Sequence, residues 1–233
     1  MSAYFVTGTD TDAGKTLVTS GLLALAHRRG LTTLGLKPVA SGSDPTIEGL
    51  RNADALALQA QTRPTLPYAT INPFAFAPAI APHLAARRAG VTLALDDLVE
   101  RTRPLLEAGR ALTLVEGAGG WRVPLNETED LSDLAAWLEL PVILVVGLRL
   151  GGISHARLTA EAITASGLRL AGWVGSLVDP AFADDDALYR DNLTTLAATL
   201  PAPCLGIVPR LPAGDASAMA EAAADHLALP DGD

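Results

Sequence analysis

Short apolar runs alternate along the chain with longer segments rich in alanine and leucine. The short runs, dominated by Val, Leu and Ile, predict strands at Ala3–Thr7, Thr33–Leu36, Ala111–Val115, Val142–Val146, Leu170–Val174 and Cys204–Val208. The longer segments predict helices at Gly14–Arg29, Asn52–Ala60, Asp96–Glu107, Leu131–Leu138, Ser154–Ser166, Asp184–Thr199 and Ser217–Leu227. Because the strands are apolar throughout and alternate with helices, the pattern predicts an α/β fold with a parallel sheet covered on both faces.

One segment interrupts this alternation. Residues Pro64–Pro82 are rich in proline and predict a loop, although Tyr68, Phe74 and Phe76 within it indicate that it packs on the domain. The sequence contains no linker, repeat or low-complexity tract. We therefore expect residues 1–233 to form one domain.

The first predicted strand ends in a glycine-containing turn, Gly8 to Thr16, that leads directly into a predicted helix. Backbone N–H groups in such a turn, together with a helix N-terminus, form a cradle for phosphate. Lys15 would place its ammonium group on the β- and γ-phosphates, and the Thr16 hydroxyl would be a Mg²⁺ ligand. Five residues separate Gly8 from Gly14 where the usual phosphate loop has four, so the loop is a variant. The turn predicts an enzyme that binds a nucleoside triphosphate and Mg²⁺ through a P-loop.

Further candidate residues lie at the ends of other predicted strands. Glu116 ends an apolar strand and is followed by Gly117, and an acid at the carboxyl end of a central strand suits Mg²⁺ binding. Lys37 ends the second strand and would point into the same crevice. Asp54 lies at a helix start, where it could equally be an acid favoured by the helix dipole.

Composition limits the function classes. Nearly half of the residues are hydrophobic and 18% are charged, which is typical of a globular protein. The net charge of −9 argues against nucleic acid or an anionic membrane as a general partner. The longest apolar stretch, Leu140–Leu148, is too short to span a bilayer, and the N-terminus lacks the features of a signal peptide. The single cysteine, Cys204, cannot close an internal disulfide, and we expect it to be buried in a cytoplasmic protein.

Taken in order, these elements resemble the dethiobiotin synthetase family. The matching stretches are Tyr4–Thr11 with Gly14–Thr16, Lys37–Ser43, Glu48–Asn52 with Asp54–Leu56, Val115–Trp121, and Leu140–Gly147. The resemblance implies a P-loop enzyme that converts 7,8-diaminononanoate, CO₂ and ATP into dethiobiotin, ADP and phosphate. It also implies a carbamate and a carbamic–phosphoric anhydride as intermediates, Mg²⁺ as cofactor, and a homodimer.

The family pattern also implies roles for single residues. The residues implied to act on the reacting atoms are Lys15, Lys37, Thr11 and Ser41. The residues implied to hold the nucleotide are Asp12, Ala13, Gly14, Lys15, Thr16, Leu17, Asp54, Glu116, Gly117, Ala118, Gly119, Ser176, Leu177, Val208, Pro209 and Arg210. Those implied to hold Mg²⁺ are Thr16, Asp54 and Glu116. Those implied to contact the diamine or its carbamate are Thr11, Lys37, Ser41 and, across the dimer interface, Tyr189.

The sequence departs from the family pattern at a few positions. Asp12 replaces a glutamate in the loop, and Ser154 stands where an asparagine can face the substrate tail. Ser176 and Leu177 stand where many members carry an Asn–Asp pair that reads adenine. These changes leave the phosphate chemistry intact and predict weaker selection of the base.

Other P-loop proteins are alternatives that the sequence leaves open. One is an ATP-dependent amidase acting on a corrinoid precursor, which usually carries a glutaminase domain that this sequence is too short to include. Another is a partitioning or positioning ATPase, but such proteins carry a second lysine early in the loop, where this chain has Asp10. A third is a regulatory domain that has lost the chemistry, against which the intact Lys15, Lys37, Asp54 and Glu116 argue.

Overall fold

A six-stranded parallel sheet forms the centre of the structure, a computed structural model that describes residues 1–230. The strands, in chain order, are β1 Ser2–Gly8, β2 Thr33–Leu36, β3 Val39–Ser41, β4 Asp44–Thr46, β5 Gly49–Arg51, β6 Phe74–Phe76, β7 Leu112–Glu116, β8 Val142–Leu148, β9 Leu170–Leu177 and β10 Cys204–Val208. The helices are α1 Lys15–Arg28, α2 Ala53–Ala60, α3 Tyr68–Ile71, α4 Pro82–Arg88, α5 Leu95–Glu107, α6 Leu131–Trp137, α7 Gly152–Ala165, α8 Asp186–Thr199 and α9 Ala216–Ala224, with a 3₁₀ turn at Pro180–Ala183.

The sheet order places the phosphate loop at its centre. The main sheet runs β10-β9-β8-β1-β7-β2, and every neighbouring pair in it is parallel. Strand β8 is buried along its whole length, as expected for a strand covered on both faces. The chain leaves β1 towards β2 on one side, whereas β8 lies on the other side. The loop after β1 therefore lies at a point where the direction of strand connection reverses, which is where open α/β sheets bind ligands.

Every predicted strand and helix is present, with ends that differ by a few residues. The largest differences are at β9, which continues to Leu177, and at α9, which ends at Ala224. The α/β prediction is thus confirmed by the parallel sheet and its helices.

Two sequence predictions are wrong. Pro64–Pro82 is not simply a loop, because it contains α3 and β6, and β6 pairs with β3 in a separate two-stranded parallel sheet. Cys204 is exposed rather than buried. The physical reason is its position, since it is the first residue of β10, the edge strand of the main sheet, where little packs over the side chain.

Strands β4 and β5 form an antiparallel hairpin whose tip carries the fully exposed Ile47. Within residues 1–230, none of the helices has the length and apolar character required to cross a membrane.

Candidate nucleotide and substrate site

The phosphate loop is held in shape by backbone features that its sequence dictates. Asp12 and Gly14 both have positive φ angles, of 59° and 89°. A side chain at Gly14 would also collide with the Ser176 hydroxyl, so glycine is required there for two reasons. The ammonium group of Lys15 folds back over the loop and donates to the carbonyl oxygen of Asp10 at 2.9 Å. The loop backbone thus binds the side chain of Lys15, and Thr11 and Asp12 are exposed at the edge of the loop.

A salt bridge ties the loop to the strand end beside it. Arg149, just after β8, donates to the Asp10 carboxylate at 2.5 Å. The other oxygen of that carboxylate accepts from the Thr11 backbone N–H at 2.7 Å. Asp10, where partitioning ATPases carry their extra lysine, is thus a structural anchor of the loop.

Four predicted site residues meet beneath the loop. The Lys37 ammonium group donates to Glu116 Oε1 at 2.7 Å, to Asp54 Oδ2 at 3.2 Å and to the Gly117 carbonyl oxygen at 3.0 Å. The Thr16 hydroxyl donates to the same Glu116 oxygen at 2.8 Å. Glu116 is fully buried and Lys37 nearly so. The cluster joins the ends of β2 and β7 with the starts of α1 and α2.

This arrangement shifts the pKa values of three groups. Burial and, after it, the nearby charge of Lys37 lower the pKa of Lys15 to about 8, against the opposing effect of the carboxylates. Burial alone would lower the pKa of Lys37, but the charges of Glu116 and Asp54 outweigh it and the pKa is raised. Burial alone would raise the pKa of Asp54, but Lys37 outweighs it and the pKa is lowered. Lys37 and Asp54 therefore hold their charges firmly, whereas Lys15 lacks a full counter-charge such as a phosphate would provide.

The donor set fits a Mg²⁺ ion. Glu116 Oε2 is buried and has no hydrogen-bond partner within residues 1–230. This oxygen can therefore coordinate a ligand. Within the same residues, no group of three or more His, Cys, Asp or Glu side chains could hold a metal. A hydroxyl and two carboxylates are hard oxygen ligands, and Mg²⁺ is commonly bound by one or two carboxylates together with substrate phosphates. The residues present are sufficient for that kind of site.

A cavity of about 730 Å³ opens over the loop and this cluster. Its lining residues are Thr11, Asp12, Gly14, Lys15, Thr16, Leu17, Lys37, Ala40, Ser41, Asp54, Ala79, Ile80, Ala81, Pro82, Ala118, Gly119 and Val123. The sequence did not identify the apolar wall formed by Ala79–Pro82, Ala40 and Val123. These side chains carry no chemistry that marks them. The packing of α4 against β3 brings Ala79–Pro82 and Ala40 together, and Val123 comes from the segment after β7.

The remaining predicted residues lie outside the lining of this cavity, and so do Glu116 and Gly117. Ala13 is buried, and a side chain at Gly147 would contact it; Ser176 is buried against Gly14. Leu177 and Pro209 are half-buried, Val208 is buried and Arg210 is exposed, at the ends of β9 and β10. Tyr189 lies on α8, where its ring meets that of Phe182 edge to face. Ser154 is exposed in the first turn of α7.

Sequence relatives identify the family. The chain is 70% identical over 234 residues to the ATP-dependent dethiobiotin synthetase BioD of Chromohalobacter salexigens, covering 99% of both chains. It is 60% identical over 220 residues to the protein of the same name from Pseudomonas aeruginosa, covering 94% of this chain and 95% of the relative. This chain belongs to the ATP-dependent dethiobiotin synthetase family. A protein-family profile described as an AAA domain also matches residues 2–218 of this family member.

Solved structures with the same fold are distant in sequence. The MinD cell division protein of Aquifex aeolicus has a TM-score of 0.57 at 13% identity, covering 97% of this chain and 95% of that chain. A ParA family ATPase from Chlorobium tepidum has a TM-score of 0.53 at 11% identity, covering 97% and 90%. At such identities the likeness shows that the dethiobiotin synthetase family member has a P-loop ATPase fold, and nothing about its reaction.

Proposed function

We propose that this protein makes dethiobiotin from 7,8-diaminononanoate, CO₂ and ATP, releasing ADP and phosphate. The observation that carries the proposal is the meeting of Lys37, Glu116, Thr16 and Asp54 beneath a phosphate loop, in a member of the dethiobiotin synthetase family. The chemistry requires an anionic nucleophile beside a transferring phosphoryl group, and such a reaction depends mainly on positioning and on fixed positive charge.

The reaction balances in three steps. One amine of the diamine adds to CO₂ and forms a carbamate, losing a proton. A carbamate oxygen then attacks the γ-phosphorus of ATP, so that ADP leaves and a carbamic–phosphoric anhydride remains. The second amine attacks the carbonyl carbon of that anhydride, loses a proton, expels phosphate and closes the ureido ring.

The residues of the cavity match the needs of these steps. Lys15 would leave the Asp10 carbonyl and hold the β- and γ-phosphates, which would provide its missing counter-charge. Lys37 would stabilise charge on the carbamate and on the phosphoryl group in transfer. Thr11 and Ser41 line the same cavity as these lysines. Their hydroxyls would bind the diamine and its carbamate.

Mg²⁺, when bound, would supply positive charge that offsets the negative charge of the phosphates, and Thr16, Asp54 and Glu116 would hold it. Lys37 uses three hydrogen bonds on protein oxygens, and an ammonium group has only three donors. Contact with a reacting oxygen therefore requires Lys37 to exchange at least one of these bonds. We expect a rearrangement of this lysine when nucleotide and substrate bind.

The cavity wall formed by Ala79–Pro82 suits the hydrocarbon part of the diamine. This wall is largely apolar and faces the same space as Lys37 and Ser41. Apolar walls with a few polar groups at one end are typical of sites that bind molecules of this kind. The substrate would extend from the lysine cluster along this wall, with its carboxylate directed towards Tyr189 of a second copy in the proposed homodimer.

The decisive experiment is mass-spectrometric detection of dethiobiotin from purified protein, diamine, bicarbonate and Mg-ATP. We expect product only when all components are present. ATP turnover that requires both the diamine and CO₂ would separate this function from the corrinoid amidase, the partitioning ATPase and the regulatory domain. ATP hydrolysis that ignores the diamine would contradict the proposal.

A further inference from the structure

A chain of hydrogen bonds outside the cavity lining joins the backbones that carry the site residues. Its members are Asn52, Tyr68 and Asn72, and both asparagines are buried, with 5% and 3% of their surface exposed. The Asn52 backbone N–H donates to the Tyr68 hydroxyl at 2.7 Å, and that hydroxyl donates to Asn72 Oδ1 at 2.9 Å. The Tyr68 hydroxyl thus accepts one hydrogen bond and donates another, and it links two segments that are distant in sequence.

One end of this chain holds the backbone of Lys37. The Asn72 side-chain amide donates to the Lys37 carbonyl oxygen at 2.6 Å. The Lys37 backbone N–H in turn donates to the carbonyl oxygen of Ile71, the residue before Asn72. Both peptide groups of Lys37 are therefore fixed by the segment that follows Tyr68, just beyond the end of β2.

The other end holds Ser41 and the helix that carries Asp54. The Asn52 side-chain oxygen caps α2 by accepting from the Ala55 N–H at 3.2 Å. Its side-chain amide donates to the carbonyl oxygen of Ser41 at 3.2 Å. A cap alone would need only the oxygen of Asn52, whereas here the amide and the backbone N–H are used as well.

We propose that Asn52, Tyr68 and Asn72 are positioning residues that set Lys37 and Ser41 against Asp54 for the reaction. The inference rests on the proposed function. The Lys37 ammonium group lies 3.2 Å from the Asp54 carboxylate. The distance between the backbones of these two residues therefore determines whether Lys37 can contact Asp54 and Glu116 at the same time.

The surroundings of Tyr68 support its role as a fixed relay. The Arg51 guanidinium group lies over its ring, 4.4 Å from the centroid, and holds the ring in place. Burial raises the pKa of Tyr68, so its hydroxyl keeps the proton that it donates to Asn72. None of the three residues lines the cavity, and they act through the residues that do.

The test is Tyr68→Phe, which removes one oxygen and keeps the ring. We expect the kcat for dethiobiotin formation to fall about tenfold or more, because a misplacement of roughly 1 Å can cost about a hundredfold in rate. The affinity for Mg-ATP, measured by calorimetry, should stay within about twofold, because the phosphate loop is untouched. The KM for the diamine should change less than kcat does. Combined with Asp54→Asn, the loss should be smaller than the product of the separate losses, because both changes act on one contact.

Thr33→Val is the matched control. Like the Tyr68 hydroxyl, the buried Thr33 hydroxyl donates one hydrogen bond, to the Gln61 carbonyl oxygen at 2.6 Å, and accepts another, from the Arg63 N–H at 3.1 Å. It lies at the opposite end of β2 from Lys37. We expect Thr33→Val to lower the melting temperature without lowering kcat. If Tyr68→Phe lowered only the melting temperature, the positioning role would be wrong. An inactive wild-type protein would instead overturn the proposed function, so the two failures can be told apart.

Discussion

At the scale of single residues, Lys37 is distinctive because all of its N–H donors are engaged by protein oxygens. We expect Lys37→Gln to lower kcat by about a hundredfold or more, since one donor to developing charge in a dry site is commonly worth several kcal/mol. The KM for the diamine should change much less, because the lysine acts mainly on charge that develops during phosphoryl transfer. Steady-state kinetics at saturating Mg-ATP measure both quantities.

The same substitution has a consequence for stability that must be measured beside the kinetics. Removing one partner of a buried ion pair leaves the Glu116 carboxylate unpaired and can cost about 3–5 kcal/mol. Thermal unfolding therefore has to show that the Lys37→Gln protein is folded at the assay temperature. A folded variant in which only the KM rises would make Lys37 a plain binding residue.

Glu116→Gln tests the metal ligands. The amide oxygen can still accept from Thr16 and Lys37, but an NH₂ group cannot replace the buried Oε2 as a ligand. We expect turnover to fall at least about tenfold and the Mg²⁺ concentration for half-maximal rate to rise, because a hard anionic ligand is lost. Titration of the rate with Mg²⁺ measures both effects.

Glu129→Gln provides the matched control for that variant. The Glu129 carboxylate is partly buried and accepts from the Leu95 N–H and the Asn126 amide, whereas Glu116 accepts from Thr16 and Lys37. The Mg²⁺ dependence of Glu129→Gln should equal that of the wild type. Normal Mg²⁺ dependence in Glu116→Gln would remove Glu116 from the proposed ligands.

At the scale of elements, a helix or strand could be predicted from the sequence only where it was long enough to show a periodic pattern of apolar residues. Long, uniformly apolar strands such as Val142–Leu148 can be recognised in the sequence, because a strand covered on both faces is apolar at every position. Strands β3, β4, β5 and β6 have three residues each, too few for any period to be read. Their pairing, as in β3 with β6, depends on contacts between distant segments that no local pattern contains.

The end of β9 carries Ser176 and Leu177, which the family pattern predicts to lie at the nucleobase. Ser176 is buried against Gly14 of the phosphate loop, and Leu177 offers no hydrogen bond from its side chain. Strong discrimination requires buried polar groups that a wrong ligand would leave unpaired. We expect CTP, GTP or UTP to support turnover within roughly tenfold of ATP, which corresponds to about 1.4 kcal/mol. Parallel assays at saturating diamine and bicarbonate measure the ratio, and a preference for ATP beyond about a hundredfold would mean that other groups read the base.

At the scale of the whole molecule, the parallel topology explains why the sequence predicted the polar half of the site. The carboxyl ends of parallel strands share one edge, so residues such as Lys37 and Glu116 could be assigned to one crevice before their contacts were known. The sequence could not predict that Lys37 bridges two carboxylates, or that Ala79–Pro82 form the apolar wall. Those facts depend on distances between elements rather than on the order of elements.

Assembly is the remaining property of the whole molecule, and the surface of α7 and α8 bears on it. Leu150, Leu158 and Leu188 are 89%, 61% and 49% exposed, and all three lie in or beside these two helices. Large apolar side chains that share one region of a surface often mark an interface. The same region holds Ser154 and Tyr189, which the family pattern directs towards the substrate tail across a two-fold interface. We therefore expect a homodimer that packs through α7 and the neighbouring part of α8.

Light scattering after size-exclusion chromatography should give twice the 24.0 kDa of one chain. Leu158→Glu should shift this towards the monomer, because it places a charge where the partner would exclude water. The KM for the diamine should rise with it, since the partner would no longer cover the substrate tail. Ile47→Glu is the matched control, because Ile47 is fully exposed on the β4–β5 hairpin, so its replacement should alter neither mass nor KM. A strictly monomeric wild-type protein with full activity would contradict the dimer, and the substrate tail would then have to be bound within one chain.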